Sequence, residues 1–114
     1  MDYARFCQMM LDDGKVGGTH LLSRKTVELM THDQLGKISP DMGFGLGFGI
    51  DGVKGPLTEL GSVGEYRWGG FFYTEFTIDP KEQMIVVFMA QLHPAGDLTL
   101  NRQVNELAYQ AIID

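Results

Sequence analysis

The run Met84-Ile85-Val86-Val87-Phe88-Met89-Ala90 constrains the fold more than any other stretch of the chain. It offers no polar face, so as a strand it must be covered on both sides, which is the pattern of a central strand. Before it, Phe72, Thr74, Phe76 and Ile78 share one face of an alternating segment, with Tyr73, Glu75 and Thr77 opposite. Asp79-Pro80-Lys81-Glu82 separates the two runs as a turn, with proline where its fixed φ suits. The two runs therefore predict an antiparallel hairpin, and covering both of its faces calls for helices on both sides.

The chain supplies such helices. Tyr3, Phe6, Cys7, Met10 and Leu11 follow the 3.6-residue period of one helical face. Asp2 is the expected N-cap and Gly14 the expected C′ residue, with Lys15-Val16-Gly17-Gly18 a turn after it. A short helix is predicted over Arg24–Thr31. Ser23 would be its N-cap, Leu22 would staple onto Val27, and Glu28 is spaced to pair with His32. A last helix, about Leu98–Ile113, would turn Leu100, Val104, Leu107, Ala108, Ala111 and Ile112 inward, after a loop at His93-Pro94-Ala95-Gly96-Asp97. The layout is α+β, an antiparallel sheet of three or four strands flanked by helices on both faces.

Glycine concentrates in the middle, with eleven of the fifteen glycines between Gly36 and Gly70. Gly43-Phe44-Gly45-Leu46-Gly47-Phe48-Gly49-Ile50 alternates strictly, so as one strand it would turn Phe44, Leu46, Phe48 and Ile50 to one side and only glycine to the other. A bare face costs conformational entropy and is expected where a neighbouring element approaches closely. Gly47-Phe48-Gly49-Ile50-Asp51-Gly52 matches the dinucleotide-binding GxGxxG, but loop chemistry at Val53-Lys54-Gly55-Pro56 follows instead of a helix, which excludes that reading. Tyr66-Arg67-Trp68-Gly69-Gly70-Phe71-Phe72 closes the region. Locally it fits a β-bulge or tight corner with a buried tryptophan, or a sheet edge left bare for a ligand with Trp68 as a pocket wall.

Bulk properties remove several functions. The length of 114 residues suits one domain with a modest core. A net charge of −6 with scattered basic residues argues against a nucleic-acid partner. Cys7, the single cysteine, excludes an intrachain disulfide and a Cys-rich zinc site, and on an apolar stripe it reads as an inert buried thiol. His20 and His32 lack a third ligand at metal-binding spacing, so no metal or cofactor is expected. No stretch has the ~18 apolar residues of a membrane span, and the N-terminal residues lack a signal-peptide layout. A soluble chain is expected, cytoplasmic if it is complete.

Nucleophilic chemistry is missing from the sequence itself. Ser23, Ser39 and Ser62 stand in no GxSxG elbow and none has lysine three residues later. No tyrosine has asparagine two residues on.

Taken together and in order, several segments carry a likeness: Asp2 to Leu11, Leu22-Ser23 with its short helix, Gly45-Leu46-Gly47-Phe48, Tyr66-Arg67-Trp68-Gly69-Gly70, the strand ending Ile78-Asp79-Pro80-Lys81-Glu82, and Met84 to Gln91. The chain resembles the C-terminal part of the serine β-lactamase and penicillin-binding-protein-like superfamily, especially its class C-related esterases. The resemblance implies that Trp68-Gly69-Gly70 is the third active-site box, where relatives carry Lys-Thr-Gly or His-x-Gly. It implies that the Phe71 backbone N–H is an oxyanion-hole donor, that Gly69 and Gly70 let the acyl group lie along the strand, and that Trp68 shapes the substrate pocket. The Ser-x-x-Lys and Tyr-x-Asn boxes, which in the family lie upstream, are missing. Residues 1–114 are therefore expected to be a single partial domain, the C-terminal portion of a carboxylesterase-like hydrolase, inactive alone and taking a small ester or amide in the full-length enzyme. Its other partners would be the missing N-terminal part or a second copy paired through an exposed strand. The competing reading is a non-catalytic, self-associating or partner-binding module on the same scaffold.

Overall fold

The computed structural model describes residues 1–113; Asp114 lies outside them. Helix α1 (Asp2–Leu11) leads into a hairpin of β1 (Lys15–Val16) and β2 (Thr19–His20), then helix α2 (Arg24–Met30). Strands β3 (Gly43–Phe44), β4 (Gly49–Ile50), β5 (Tyr66–Gly69), β6 (Glu75–Asp79) and β7 (Met84–Phe88) follow, and helix α3 (Leu100–Gln110) closes the order. The five strands β3 to β7 lie in sequence order in one antiparallel sheet. Helix α1 packs on β6 and β7 from one face, and α3 packs on β7 from the other. The expected α+β sheet flanked by helices on both faces is the fold observed, with five strands instead of three or four and a separate two-stranded hairpin.

The β6–β7 hairpin forms as its sequence dictates. Asp79 Oδ1 accepts the N–H groups of Lys81 and Glu82 at 2.9 and 3.2 Å, fixing the turn. Register pairs Phe76 with Val87 and Ile78 with Ile85 on the α1 face, and Glu75 with Phe88 and Thr77 with Val86 on the α3 face. β7 is not central, however. It is the last strand of the sheet and only half-buried. A continuous apolar run reports burial on both faces but not which edges are paired.

The core lies between α1 and the sheet: Cys7, Met9 and Met10 against Val27, Phe48, Ile50, Tyr66, Phe76 and Ile78. Tyr3 and Phe6, expected inside, stay 45% and 37% exposed. Asp2 does not cap α1. Met1 holds the N-cap position without a side-chain bond, and Asp2 sits in the first turn, where its charge suits the helix dipole. At the other end the helix closes one residue earlier than expected, with Asp13 (φ +54°) at C′ and Gly14 at C″. Asp12 is the C-cap, and Gly14 (φ +90°) donates to Met9 C=O at 2.8 Å, a Schellman closure. A Cβ on Gly14 would lie 2.4 Å from Leu22 C=O, so glycine is required twice over.

Ser23 caps α2 as expected, accepting from Thr26 N–H at 3.1 Å. Glu28 pairs with Arg24 and Lys25 rather than with His32. Those two cations lie on its own helix within one turn.

The glycine alternation is not one strand. The chain reverses over Gly45–Phe48, with Gly45 N–H donating to Phe48 C=O at 2.8 Å and Gly47 at φ +98°. The reversal leaves Leu46 exposed at the tip while Phe48 and Ile50 go to the core. The close approach expected of the bare face does occur. A Cβ on Gly45 would stand 2.0 Å from Met30 C=O, the end of α2.

Helix α3 departs most from expectation. Its buried residue is Asn105, while Leu100 and Leu107 are exposed. The inner face is the polar row Asn101, Asn105 and Tyr109, because the sheet face it meets carries Glu75, Thr77 and Asp79.

Candidate active site around the Trp-Gly-Gly strand

Strand β5 carries the box. Tyr66, Arg67, Trp68 and Gly69 pair in unbroken register with Ile78, Thr77, Phe76 and Glu75, so there is no bulge at the glycines. Trp68 is not buried either; it is 47% exposed. Its indole meets Phe44 edge-on, with centroids 4.8 Å apart at 85°. A Cβ at Gly49 would meet the indole at 3.6 Å, an ordinary van der Waals contact, so the ring packs over this position.

The other edge of β5 is what distinguishes this strand. β4 pairs only with Tyr66 and Arg67. From Trp68 onward, no strand among the described residues lies along that edge. An unpaired strand edge presents N–H and C=O groups that an extended acyl or peptide group can meet.

Directly beyond, Gly70–Thr74 is a hairpin turn rather than the start of the strand the alternation suggested. Gly70 N–H donates to Thr74 C=O at 2.7 Å, Tyr73 N–H donates to Gly70 C=O at 3.1 Å, and Tyr73 takes φ +65°. The alternating pattern misleads here because Phe71 and Phe72 are apolar yet exposed, at 72% and 51%. No acceptor among the described residues takes the Phe71 N–H. The turn is held from outside: Leu92 N–H donates to Phe72 C=O at 3.1 Å, and the His93 ring stacks on Phe71 at 3.9 Å and 23°. From α3, Asn101 bonds the Tyr73 hydroxyl at 2.9 Å.

A cleft of about 330 Å³ opens beside the box, lined by Tyr3, Trp68, Gly69, Gly70, Phe76 and Met89. Trp68, Gly69 and Gly70 thus share one cavity, while Phe71, in the turn, is not among its lining residues. Tyr3 and Met89 went unnoticed in the sequence as cleft residues, because each looks like an ordinary member of an apolar stripe.

Charge near the box is compensated. Arg67 Nε lies 2.8 Å from Asp51 Oδ2, and its Nη1 lies 3.9 Å from both Glu59 and Glu75. Lys54 is paired with Asp33 at 2.8 Å. That lysine, with the Phe44 N–H, holds the Asp33 carboxyl well below the usual carboxylate range. Among the described residues, no group of three or more His, Cys, Asp or Glu side chains could hold a metal ion. No helix among the described residues is long and apolar enough to cross a membrane.

The beta-lactamase family profile matches residues 1–110. The chain belongs to the beta-lactamase family. Its superfamily is that of the serine β-lactamases and penicillin-binding-protein-like proteins, serine hydrolases by chemistry. Among curated proteins it is similar to "Uncharacterized protein MT1414" of Mycobacterium tuberculosis CDC 1551 and "Protein Rv1367c" of Mycobacterium tuberculosis H37Rv. Each is 34% identical over 107 residues, covering 82% of this chain and 27% of the relative. The chain therefore spans about a quarter of the length of these curated relatives.

Proposed function

We propose that this chain is the C-terminal part of a carboxylesterase-like serine hydrolase that works through an acyl-enzyme, and that it supplies the substrate-side strand of the active site. The observation that carries the reading is the β5 edge, unpaired from Trp68 onward and ending in a Phe71 N–H with no acceptor among the described residues. An acyl group laid along Gly69-Gly70 would bring its carbonyl oxygen to that N–H. There the donor would stabilise the tetrahedral oxyanion, a contribution of about 3 kcal/mol to the barrier. Trp68 and the cleft beside it would receive the apolar part of the ester. The only cation on the box strand, Arg67, is held among three carboxylates, which favours a substrate without a carboxylate of its own.

The serine nucleophile, its lysine base and the tyrosine would come from residues upstream in a longer polypeptide. That polypeptide would also pair a strand onto β7. The chain alone should hydrolyse nothing. The test uses a chromogenic short-chain ester and a serine-directed phosphonate on the chain and on the full reading frame that encodes it. Turnover and labelling in the full product alone support the reading. A reading frame with no Ser-x-x-Lys segment, or a chain that turns over ester while ignoring the phosphonate, overturns it.

A further inference from the structure

Between α3 and the sheet, the buried carboxyls of Glu65 and Asp79 meet the half-buried Tyr109, a cluster unused by the chemistry above. The Tyr109 hydroxyl, near the end of α3, contacts Glu65 Oε2, and it also lies 2.7 Å from Asp79 Oδ2. Glu65 and Asp79 are 4% and 0% exposed. Gly61 makes room for the Glu65 carboxyl, since a Cβ there would stand 2.6 Å from Oε2, and Ser62 N–H donates to that same oxygen at 3.1 Å.

A phenol has one proton and can donate it once. Two carboxyl oxygens at one phenol oxygen are therefore both hydrogen-bonded only if one carboxyl is itself protonated. Asp79 is the natural acceptor for the phenol, because its Oδ1 already accepts the Lys81 and Glu82 N–H groups. Glu65 is the carboxyl that keeps its proton, because burial disfavours its charged form and Asp51 and Asp79 lie beside it. The balanced arrangement has Glu65 donating to the phenol oxygen and the phenol donating to ionised Asp79.

We propose that Glu65, Tyr109 and Asp79 form a proton-dependent latch that docks the C-terminal turn of α3 on the sheet and releases it when Glu65 ionises. Glu65 directly precedes Tyr66, so the latch also ties α3 to the start of the box strand.

The other charged groups facing this site are few. Asp51 faces Glu65 and is ion-paired to Arg67; Glu106 of α3 accepts from Leu60 N–H; Arg102 of α3 reaches Glu59 at 3.2 Å. Lys81 and Glu82 lie exposed in the hairpin turn. None of these offers the carboxyl pair a buried cation. Burial, chiefly, raises the Glu65 carboxyl above its ordinary value of 4.5. A raised folded value means that docking is strongest below 4.5 and weakens as pH climbs from there to the folded value.

The experiment is amide hydrogen exchange of α3, corrected for intrinsic rates, across that pH range on the chain and on Glu65→Gln and Tyr109→Phe. In the unmodified chain, opening of residues 104–110 should rise by up to tenfold per pH unit and then level off. Glu65→Gln, a neutral donor of the same shape, should keep α3 protected and abolish the pH dependence, whereas Tyr109→Phe should leave it open at every pH. In parallel, ¹³C-carboxyl NMR of the unmodified chain reads Glu65 directly, whether or not either variant folds. A pH-independent α3, a Glu65→Gln profile that matches the unmodified chain, or a Glu65 carboxyl titrating at the ordinary glutamate value would overturn the latch.

Discussion

At the scale of single residues, glycine and cysteine make the most specific statements. Gly45 lets the end of α2 approach the β3–β4 reversal, so Gly45→Ala would force its new methyl against Met30 C=O. We expect a loss of about 2 kcal/mol by chemical denaturation. Gly55→Ala, where a Cβ meets nothing within 4 Å, should stay within about 0.5 kcal/mol of the parent. Cys7 is fully buried, and burial pushes its thiol up to about 11 from 9.0. The folded state therefore prefers the protonated thiol, and the stability this contributes is intact below pH 9 and lost as pH rises toward 11. Iodoacetamide at pH 8 should leave Cys7 unmodified until the chain is unfolded with urea, and the denaturation midpoint should fall above pH 9. The sequence placed Cys7 correctly because it lies mid-stripe, although Tyr3 and Phe6 of the same stripe stay exposed. It could not place Trp68, whose exposure depends on where β4 stops.

Among the elements, α3 shows how far a periodic pattern can be read. Its apolar residues were legible, but which side meets the sheet was decided by Glu75, Thr77 and Asp79 on β6. Helix Asn101, Asn105 and Tyr109 answer those polar groups, and Leu100 and Leu107 are left facing outward. Asn105 is the imperfect member: its Oδ1 is buried without a partner among the described residues, beside Val86 and Phe88. Replacing a buried amide that lacks a partner with an apolar group of similar volume removes a desolvation cost. Asn105→Leu should raise stability by about 1 kcal/mol, read as a higher urea midpoint with an unchanged m-value. The pairing of β6 with β7 and the turn between them were legible because their signals are local, but the start of β6 at Glu75 and the edge position of β7 were not. The reversal at Gly45–Phe48 was not, since a strict glycine alternation satisfies a strand and a tight turn equally well.

For the whole molecule, the sheet is the point at issue. β7 is apolar, half-buried and last in the strand order, and Met89 just beyond it is 60% exposed. A strand of this composition with a free edge is a template for pairing. Sedimentation velocity should find the chain alone associating as its concentration rises, whereas a monomer at all concentrations would argue that β7 needs no partner. Sequence order alone carried the family likeness, since the short motifs recur at the right separations along nearly the whole chain. The nucleophile was not legible because Ser23, Ser39 and Ser62 are not followed by lysine at the third position, and Ser23 is spent as a helix cap. The central claim, that β5 and the turn after it are one wall of an esterase site, is tested most directly by removing the proposed donor. Phe71→Pro, made in the full product of the reading frame, deletes that N–H while leaving Trp68-Gly69-Gly70 in place. We expect kcat on a chromogenic short-chain ester to fall by about 10²-fold with phosphonate labelling retained. Unchanged kcat in a folded Phe71→Pro enzyme would contradict the assignment.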